Sequence, residues 1–240
     1  MLLERWHPIT KDFGLINASI SACVEEFTTW HGGLALAYER KEISSFGGAL
    51  EALPPLSAEL ARKLFVPTAA PNWTAFFQSG ISGSDPSPVA CMLAKLLKVV
   101  SMRICASPPG ARWPAVIWEV YAPPELGGST PLGYRRSIAA SNDGGRWAFW
   151  QSGAPYAFEQ SDRYLAPRKR DRFTRELLTD YLAHFGLAPL GDEFYVPSAQ
   201  EPAILLERIF RQGKPSPEFT LEQVIDGLPW GGNRDRKDSQ

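Results

Sequence analysis

The sequence predicts an α+β protein with a central antiparallel sheet, a meander of about five to seven strands, flanked by helices. Apolar residues recur with the helical period in segments before residue 98 and after residue 170, whereas between them the period is two. Connections within the alternating region are short, and strands joined by short connections pair antiparallel because parallel strands need long crossovers. Such segregated runs of strands and helices are typical of α+β proteins.

The first quarter of the chain is predicted to be mainly helical. Residues 1–15 are expected to be irregular. Apolar residues from Ile16 to Trp30 fall on one face of a helix, which Gly32-Gly33 ends. Three elements are predicted to follow: a short strand "LALAYER", a brief helix "FGGALEAL" and a second short helix at about 57–64.

The stretch "PNWTAFFQSGISGSDPS" predicts a strand, a turn and the start of a helix. Trp73 to Phe77 is rich in strand-forming residues, and the serines and glycines of 79–85 form a turn. Asp85 suits the N-cap of the next helix and Pro86 its first position. We interpret this turn as a structural junction that Asp85 stabilises.

Five strand candidates occupy about 60 residues after Val99: "VVSMRICA", "AVIWEVYA", "RRSIAAS", "RWAFWQ" and "PYAFEQ". Asp143-Gly144 predicts a hairpin turn between the third and fourth. This region supplies most of the predicted meander.

The last third is predicted to be helical. A helix at about 171–185 has Asp171 as its cap and Gly186 at its end. Two more helices are expected, in "PSAQEPAILLERIFRQG" and in "TLEQVIDGL", where Thr220 and Gln223 form a capping box. We expect one domain over residues 1–230 and a disordered polar tail over 231–240.

Composition narrows the possible partners. A net charge of −1 gives no overall reason to expect nucleic acid as a partner. Apolar runs are too short for a membrane span, and the first residues lack a secretion signal, so a cytoplasmic location is expected. The three cysteines, Cys23, Cys91 and Cys105, form no ligand cluster and are expected to be reduced, free thiols.

Few residues suggest catalysis, so the sequence favours a protein that is not an enzyme and has no metal or cofactor. "GISGS" resembles a nucleophile elbow around Ser82 but lacks its final glycine, and the partner would be His184, His31 or His7. Cys91 or Cys105 could also pair with a histidine. Glu119 and Glu159 lie in predicted strands and are expected to face solvent. A small hydrolase with an unrecognised serine or cysteine nucleophile stays the alternative.

The basic segment, residues 163–175 ("RYLAPRKRDRFTR"), has the highest local charge in the chain. Six cations within 13 residues repel each other unless a phosphate or an acidic protein neutralises them. Partner contact is predicted for Arg168, Lys169, Arg170, Arg172 and Tyr164.

Several phrases resemble a group of bacterial immunity proteins of polymorphic toxins: "ALEALPPL", "RKLFVPT", "NWTAFFQSGISGSDP", "RWAFWQSGAPYAFE" and "RDRFTRELLTDYLAHFGL". The resemblance covers roughly residues 16–195. It implies that the protein binds and neutralises a cognate secreted toxin. This chain has Gln78-Ser79 and Gly83-Ser84-Asp85 in the turn, so the resemblance assigns no site there. A general interaction or chaperone-like adaptor is a second alternative.

Overall fold

The computed structural model describes residues 2–7, 9–108, 110–111, 113–129, 133–142, 144–210 and 216–230. It shows an α+β fold in which nine strands form one antiparallel sheet, more than the five to seven predicted. The strands are β1 Asp12–Ile16, β2 Tyr38–Ile43, β3 Arg62–Pro67, β4 Thr74–Gln78, β5 Ser101–Ala106, β6 Ala115–Tyr121, β7 Tyr134–Asn142, β8 Trp147–Ser152 and β9 Ala203–Arg208. Their spatial order is β2-β9-β3-β4-β1-β5-β6-β7-β8.

The α-helices are short apart from two. They are α1 Leu2–Arg5, α2 Ile20–Gly33, α3 Phe46–Glu51, α4 Ser87–Leu97, α5 Arg175–Ala183 and α6 Leu221–Ile225. Among the described residues no helix is long and apolar enough to cross a membrane.

The predicted meander is confirmed for β5 to β8, which are neighbours in the sheet in chain order. Its fifth candidate, "PYAFEQ", is wrong, because those residues form turns and irregular chain. In the other half of the sheet, strands distant in sequence pair: β1 lies between β4 and β5, and β9 lies between β2 and β3. Asp143 and the tail 231–240 lie outside the described residues.

Strand β1 corrects the prediction that residues 1–15 are irregular. All five of its residues are buried near the middle of the sheet. Helix α2 therefore begins at Ile20 and not at Ile16, and Ser19 caps it by accepting a hydrogen bond from the Ala22 N–H. The apolar end of β1 resembles the first turn of a helix because a strand buried on both faces lacks alternation.

Two predicted helices are strands. The helix expected at 57–64 is a turn followed by β3, and the helix expected after residue 197 contains β9. Both strands have runs of four or more buried residues, and a short apolar run does not distinguish a buried strand from a buried helix. The strand expected in "LALAYER" begins only at Tyr38.

Hydrophobic residues cover both faces of the sheet. Phe76 and Phe77 are adjacent in β4 and so point to opposite faces. Phe76 joins a cluster with Phe27 of α2 and Leu93 of α4, whereas Phe77 joins the larger cluster that includes Tyr181 of α5. Helices α2 and α4 therefore cover one face, and α3, α5 and surrounding loops cover the other.

Candidate functional site

The basic segment lies beside the last strand of the sheet. Lys169–Asp171 form one turn of 3-10 helix that packs on β8 and β7. Arg168, Lys169 and Arg170 are exposed. Arg170 lies 3.5 Å from Asp171, and both side chains are more than half exposed, so this ion pair neutralises little of the local charge.

Arg172 has a different role from the three cations before it. Its Nε donates to the Ala166 carbonyl at 2.8 Å, and its guanidinium lies 5.6 Å from the centre of the Phe149 ring in β8. The side chain is half-buried. Arg172 therefore anchors the basic segment to the sheet, and its charge is only partly available to a partner.

Tyr164 is not on the surface, which corrects its predicted place in a partner contact. Its side chain is 3% exposed, and its hydroxyl donates to Glu159 at 2.8 Å. The Tyr181 hydroxyl lies 2.9 Å from the Tyr164 hydroxyl and donates to it, since the Tyr164 proton is used by Glu159. The Tyr181 hydroxyl also accepts from the Gln160 N–H at 2.8 Å. Burial first, and then these hydrogen bonds, raise the pKa of Tyr164. Tyr164 supports the basic segment from below.

The hydrogen bonds of Tyr164 and Tyr181 lead to a buried ion pair between Arg136 of β7 and Glu159. Nη2 of Arg136 lies 2.6 Å from Oε2 of Glu159, and both side chains are at most 1% exposed. Nη1 donates to the carbonyls of Ser152 and Gly153, and Nη2 also donates to the Gln151 side chain. Glu159 additionally accepts from the Tyr156 N–H. The prediction that Glu159 lies in a strand and faces solvent is wrong.

This network fixes the chain from Gln151 to Tyr164 against the sheet. Burial opposes the charge on Arg136, but the hydrogen bonds and charge of Glu159 outweigh it and raise the Arg136 pKa. Every N–H direction of the guanidinium meets an acceptor, so the pair has no capacity left for a substrate. Its effect is to present the basic segment in one fixed position.

Arg136 could have been noticed in the sequence. Strand alternation in "RRSIAAS" places Arg136 on the same face as Ile138 and Ala140, both fully buried. An arginine in phase with core residues requires a buried acid. No comparable pattern identifies Glu159 as that acid, because Glu159 lies in irregular chain.

A second ion pair, between a partly exposed Arg103 and a buried Asp12, lies on the opposite face. Arg103 of β5 donates two hydrogen bonds to Asp12 of β1, at 2.9 and 2.6 Å, and lies 3.5 Å from Glu119 of β6. Glu119 also accepts from the Tyr121 hydroxyl at 2.8 Å. Glu119 is 5% exposed, so the prediction that it faces solvent is wrong as well.

These groups are engaged with each other and not poised for acid–base chemistry. Burial opposes the charge on Arg103, but Asp12 and then Glu119 outweigh it and raise the Arg103 pKa. Burial raises the pKa of Asp12 against the hydrogen bonds from Arg103. The cluster holds β1, β5 and β6 together beneath the start of α4, where the Ser87 hydroxyl lies 3.4 Å from Glu119.

The 79–85 turn holds backbone in place. The Ser79 hydroxyl accepts from the Arg62 N–H at 2.9 Å. The buried Ser84 hydroxyl accepts from the Gln78 N–H at 2.7 Å and donates to the Gln78 carbonyl at 3.3 Å. A side chain on Gly80 would meet the Gly83 carbonyl oxygen at 2.1 Å, so only glycine fits there.

Asp85 does not cap α4, which corrects the prediction. The residue before the helix is Pro86, which makes no side-chain capping bond. The cap of α5 was also misassigned: Thr174, and not Asp171, accepts from the Leu177 N–H. Gly186 does have the positive φ, 70°, that suits a glycine after a helix.

Within the described residues, no hydrogen bond joins Ser82, Cys23 or Cys105 to a histidine. His31 meets the Tyr38 hydroxyl at 2.6 Å, and His184 stacks on Phe158 with ring centres 4.3 Å apart. His7 lies near Lys11 at the N-terminal end, where burial and then Lys11 lower its pKa to about 4. In the part of the chain that is described, none of the three predicted histidine partners is therefore bonded to Ser82, Cys23 or Cys105.

None of the three cysteines is in a disulfide among the described residues, in agreement with the prediction of reduced thiols. Burial raises the pKa of Cys23 and of Cys105 to about 12, and it raises that of Cys91, which is half-buried. A reactive thiol needs a lowered pKa. In the part of the chain that the structure describes, no group of three or more histidines, cysteines or acids is placed to hold a metal ion.

Comparison with protein-family models, with curated proteins and with solved structures found no match for this chain.

Proposed function

We propose that this protein acts by stoichiometric binding, as an immunity protein that neutralises a cognate secreted bacterial toxin in the cytoplasm. It does so without a metal, a cofactor or a catalytic step, and its partner is a protein and not nucleic acid or a membrane. The proposal rests on the resemblance in sequence and on one structural observation, the presentation of the basic segment.

That observation is the contrast between exposed cations and a rigid support. Arg168, Lys169 and Arg170 are exposed, whereas the residues beneath them are buried and fully hydrogen bonded through Tyr164 and Glu159. A preorganised surface loses less conformational entropy when it binds. A cluster of like charges also attracts an oppositely charged partner before the two surfaces touch, which raises the association rate.

The test has two steps. The tagged protein is expressed in its own bacterium, bound proteins are identified by mass spectrometry, and the candidate toxin is then expressed alone and with this protein in a second host. We expect the toxin to stop growth and the co-expressed protein to restore it, with a 1:1 complex in analytical ultracentrifugation.

Two results would contradict the proposal. One is rescue of growth at a small fraction of the toxin's molar amount, which would indicate turnover and revive the hydrolase alternative. The other is stable binding to a bacterial protein that is not toxic, which would favour the adaptor alternative. The variant Ser82→Ala with Cys91→Ala controls for an unrecognised nucleophile and should protect cells as the native protein does.

A further inference from the structure

The two edges of the sheet differ in chemistry. Edge strand β2 has the sequence YERKEI, with four consecutive charged and exposed residues. Charges on an edge strand prevent pairing with other chains. Edge strand β8 has the sequence WAFWQS, with no charge, and its Trp150 is 48% exposed. The β8 edge lacks the protection that the β2 edge has.

The hydrogen-bonding direction of each β8 residue follows from its neighbours. The Asn142 N–H donates to the Pro114 carbonyl at 2.9 Å, so Asn142 directs its backbone toward β6. Directions alternate along a strand, so Ser141, which pairs with Ala148, directs its backbone toward β8. Ala148, Trp150 and Ser152 therefore bond to β7, while Trp147, Phe149 and Gln151 direct their N–H and C=O groups outward.

These outward groups form a row of three donors and three acceptors along the free edge. Among the described residues, no strand pairs with this side of β8, and none of these groups takes part in a backbone hydrogen bond of a turn, loop or cap. A row of this kind is the surface to which an extended peptide adds as a new strand.

We propose that the β8 edge binds an extended, acidic segment of the protein partner as a tenth strand. This inference rests on the proposed function, since it identifies how the partner is held. Backbone bonds to Trp147, Phe149 and Gln151 would supply affinity, and Trp150 would contact a side chain of the added strand on one face.

The positive charge around the β8 edge favours an acidic peptide as the added strand. Arg146 is exposed at the start of β8, and the basic segment packs on the same strand, with Arg172 over Phe149. Acidic side chains on an added strand would meet these cations. A second copy of this chain would instead bring two sets of cations together, and like charges across an interface are unfavourable.

Gln151 offers a matched pair of variants. Gln151→Pro removes one outward N–H that β7 does not use, and proline is tolerated on an edge strand with its nitrogen toward solvent. Gln151→Ala keeps the N–H. Both lose the same side-chain bond to Arg136, so their difference isolates the backbone donor. Thermal unfolding of both variants checks that the fold is retained.

The probe is a seven-residue peptide of alternating glutamate and valine, with a lysine–valine peptide as the charge control. We expect the glutamate peptide to slow amide exchange at Trp147, Phe149 and Gln151, while Ala148 and Trp150, already bonded to β7, change little. We expect Gln151→Pro to weaken its binding by about tenfold relative to Gln151→Ala.

Three results would overturn the inference: no slowing at those three amides at millimolar peptide, equal binding of the lysine peptide, or equal affinities for the two Gln151 variants. A dimer that Gln151→Pro abolishes would also overturn it in favour of a second copy. The peptide measurement needs no toxin, so its failure is distinct from failure of the proposed function, which the growth assay reports.

Discussion

Two arginines carry charge into the two hydrophobic layers, one on each face of the sheet. Arg136 meets Glu159 on the side of α5, and Arg103 meets Asp12 on the side of α2 and α4. Removing an ion pair from water costs several kcal/mol for each ion, and good geometry with further hydrogen bonds offsets that cost. Each pair therefore depends on both of its members.

Replacing Glu159 by glutamine tests this dependence. Glu159→Gln leaves the Arg136 guanidinium buried without a counter-ion, and we expect a loss of about 3–5 kcal/mol in the free energy of unfolding. Urea denaturation followed by tryptophan fluorescence measures it. Glu125→Gln changes an exposed glutamate and should stay within about 0.5 kcal/mol of the native protein. A loss below 1 kcal/mol for Glu159→Gln would show that the pair is not a determinant of stability.

Thiol labelling tests the burial of the cysteines. We expect an aromatic disulfide reagent at pH 8 to modify Cys91 first, since it is half-buried, and to modify Cys23 and Cys105 only on unfolding. Mass spectrometry of the labelled protein identifies the order. The triple Cys→Ser variant should still bind the partner. Inactivity of a folded Cys91→Ser or Cys105→Ser variant would instead point to a catalytic thiol.

His31 predicts a pH dependence of stability. Burial, and then the charges of Lys63 and Arg208, lower its pKa to about 4. Burial raises the pKa of Tyr38 to about 12, so the tyrosine hydroxyl donates to neutral His31. Because the unfolded chain binds a proton near pH 6.5 and the folded chain does not, this stability is complete above pH 6.5 and is lost as the pH falls toward 4.

The comparison is between native protein and His31→Gln, by urea denaturation at intervals from pH 7 to pH 4. We expect the variant to be less stable at pH 7 but to lose less stability as the pH falls, because it lacks the titration of His31. The contribution of His7 is the same in both proteins and cancels in the comparison. Equal slopes for the two proteins would refute the assignment to His31.

At the scale of elements, prediction from the sequence fails for strands that are buried on both faces of the sheet. Strands β5 to β8 were predicted because their residues alternate and their connections are short. Strands β1, β3 and β9 were missed because both of their faces are covered, so their apolar runs resemble helix segments. "PYAFEQ" alternates as a strand does, but Tyr156 and Phe158 pack around Trp118 instead.

The candidate site was predictable only as a charge pattern. The exposed cations could be read from the sequence, and the structure leaves Arg168, Lys169 and Arg170 on the surface. The hydrogen bonds beneath them could not be predicted, because they join Arg136 to Gln151 and Glu159, which lie 15 and 23 positions later in the chain. Glu159 lies in irregular chain, where no pattern indicates its position. The unprotected edge of β8 required the strand order, which depends on long-range pairing.

The start of α4 gives a prediction that separates two adjacent residues. Ser84→Ala removes a buried hydroxyl that bonds both the N–H and the C=O of Gln78, and we expect a loss of about 1–3 kcal/mol. Asp85→Ala should change stability by less than about 0.5 kcal/mol, because Asp85 is exposed and caps no helix. Chemical denaturation of both variants decides it. The reverse order would restore Asp85 as the stabilising residue.

At the scale of the whole molecule, charge is nearly balanced but unevenly placed. The net charge is −1, so attraction of a distant partner has to come from local surfaces. The β2 edge has two anions and two cations that balance each other, whereas Arg168, Lys169 and Arg170 of the basic segment are exposed beside β8. The two ends of the sheet thus differ both in charge and in capacity for strand addition, which places the expected contact at the β8 end.

The association rate with the partner tests this asymmetry. We expect Arg168→Glu with Lys169→Glu and Arg170→Glu to slow association at least tenfold at 0.1 M salt. The native rate should fall as salt rises to 1 M, because the Debye length shrinks from about 10 Å to about 3 Å.

The matched control is Lys41→Glu with Lys95→Glu and Lys98→Glu, since its three sites are exposed on other surfaces. Each reversal changes the charge by −2, so both triple variants carry a net charge of −7. Stopped-flow measurements at two ionic strengths would show a large effect for the first variant and less than about threefold for the second. Equal slowing in both would mean that net charge, and not the basic segment, governs the encounter, and no slowing in either would leave the basic segment as a solvated face.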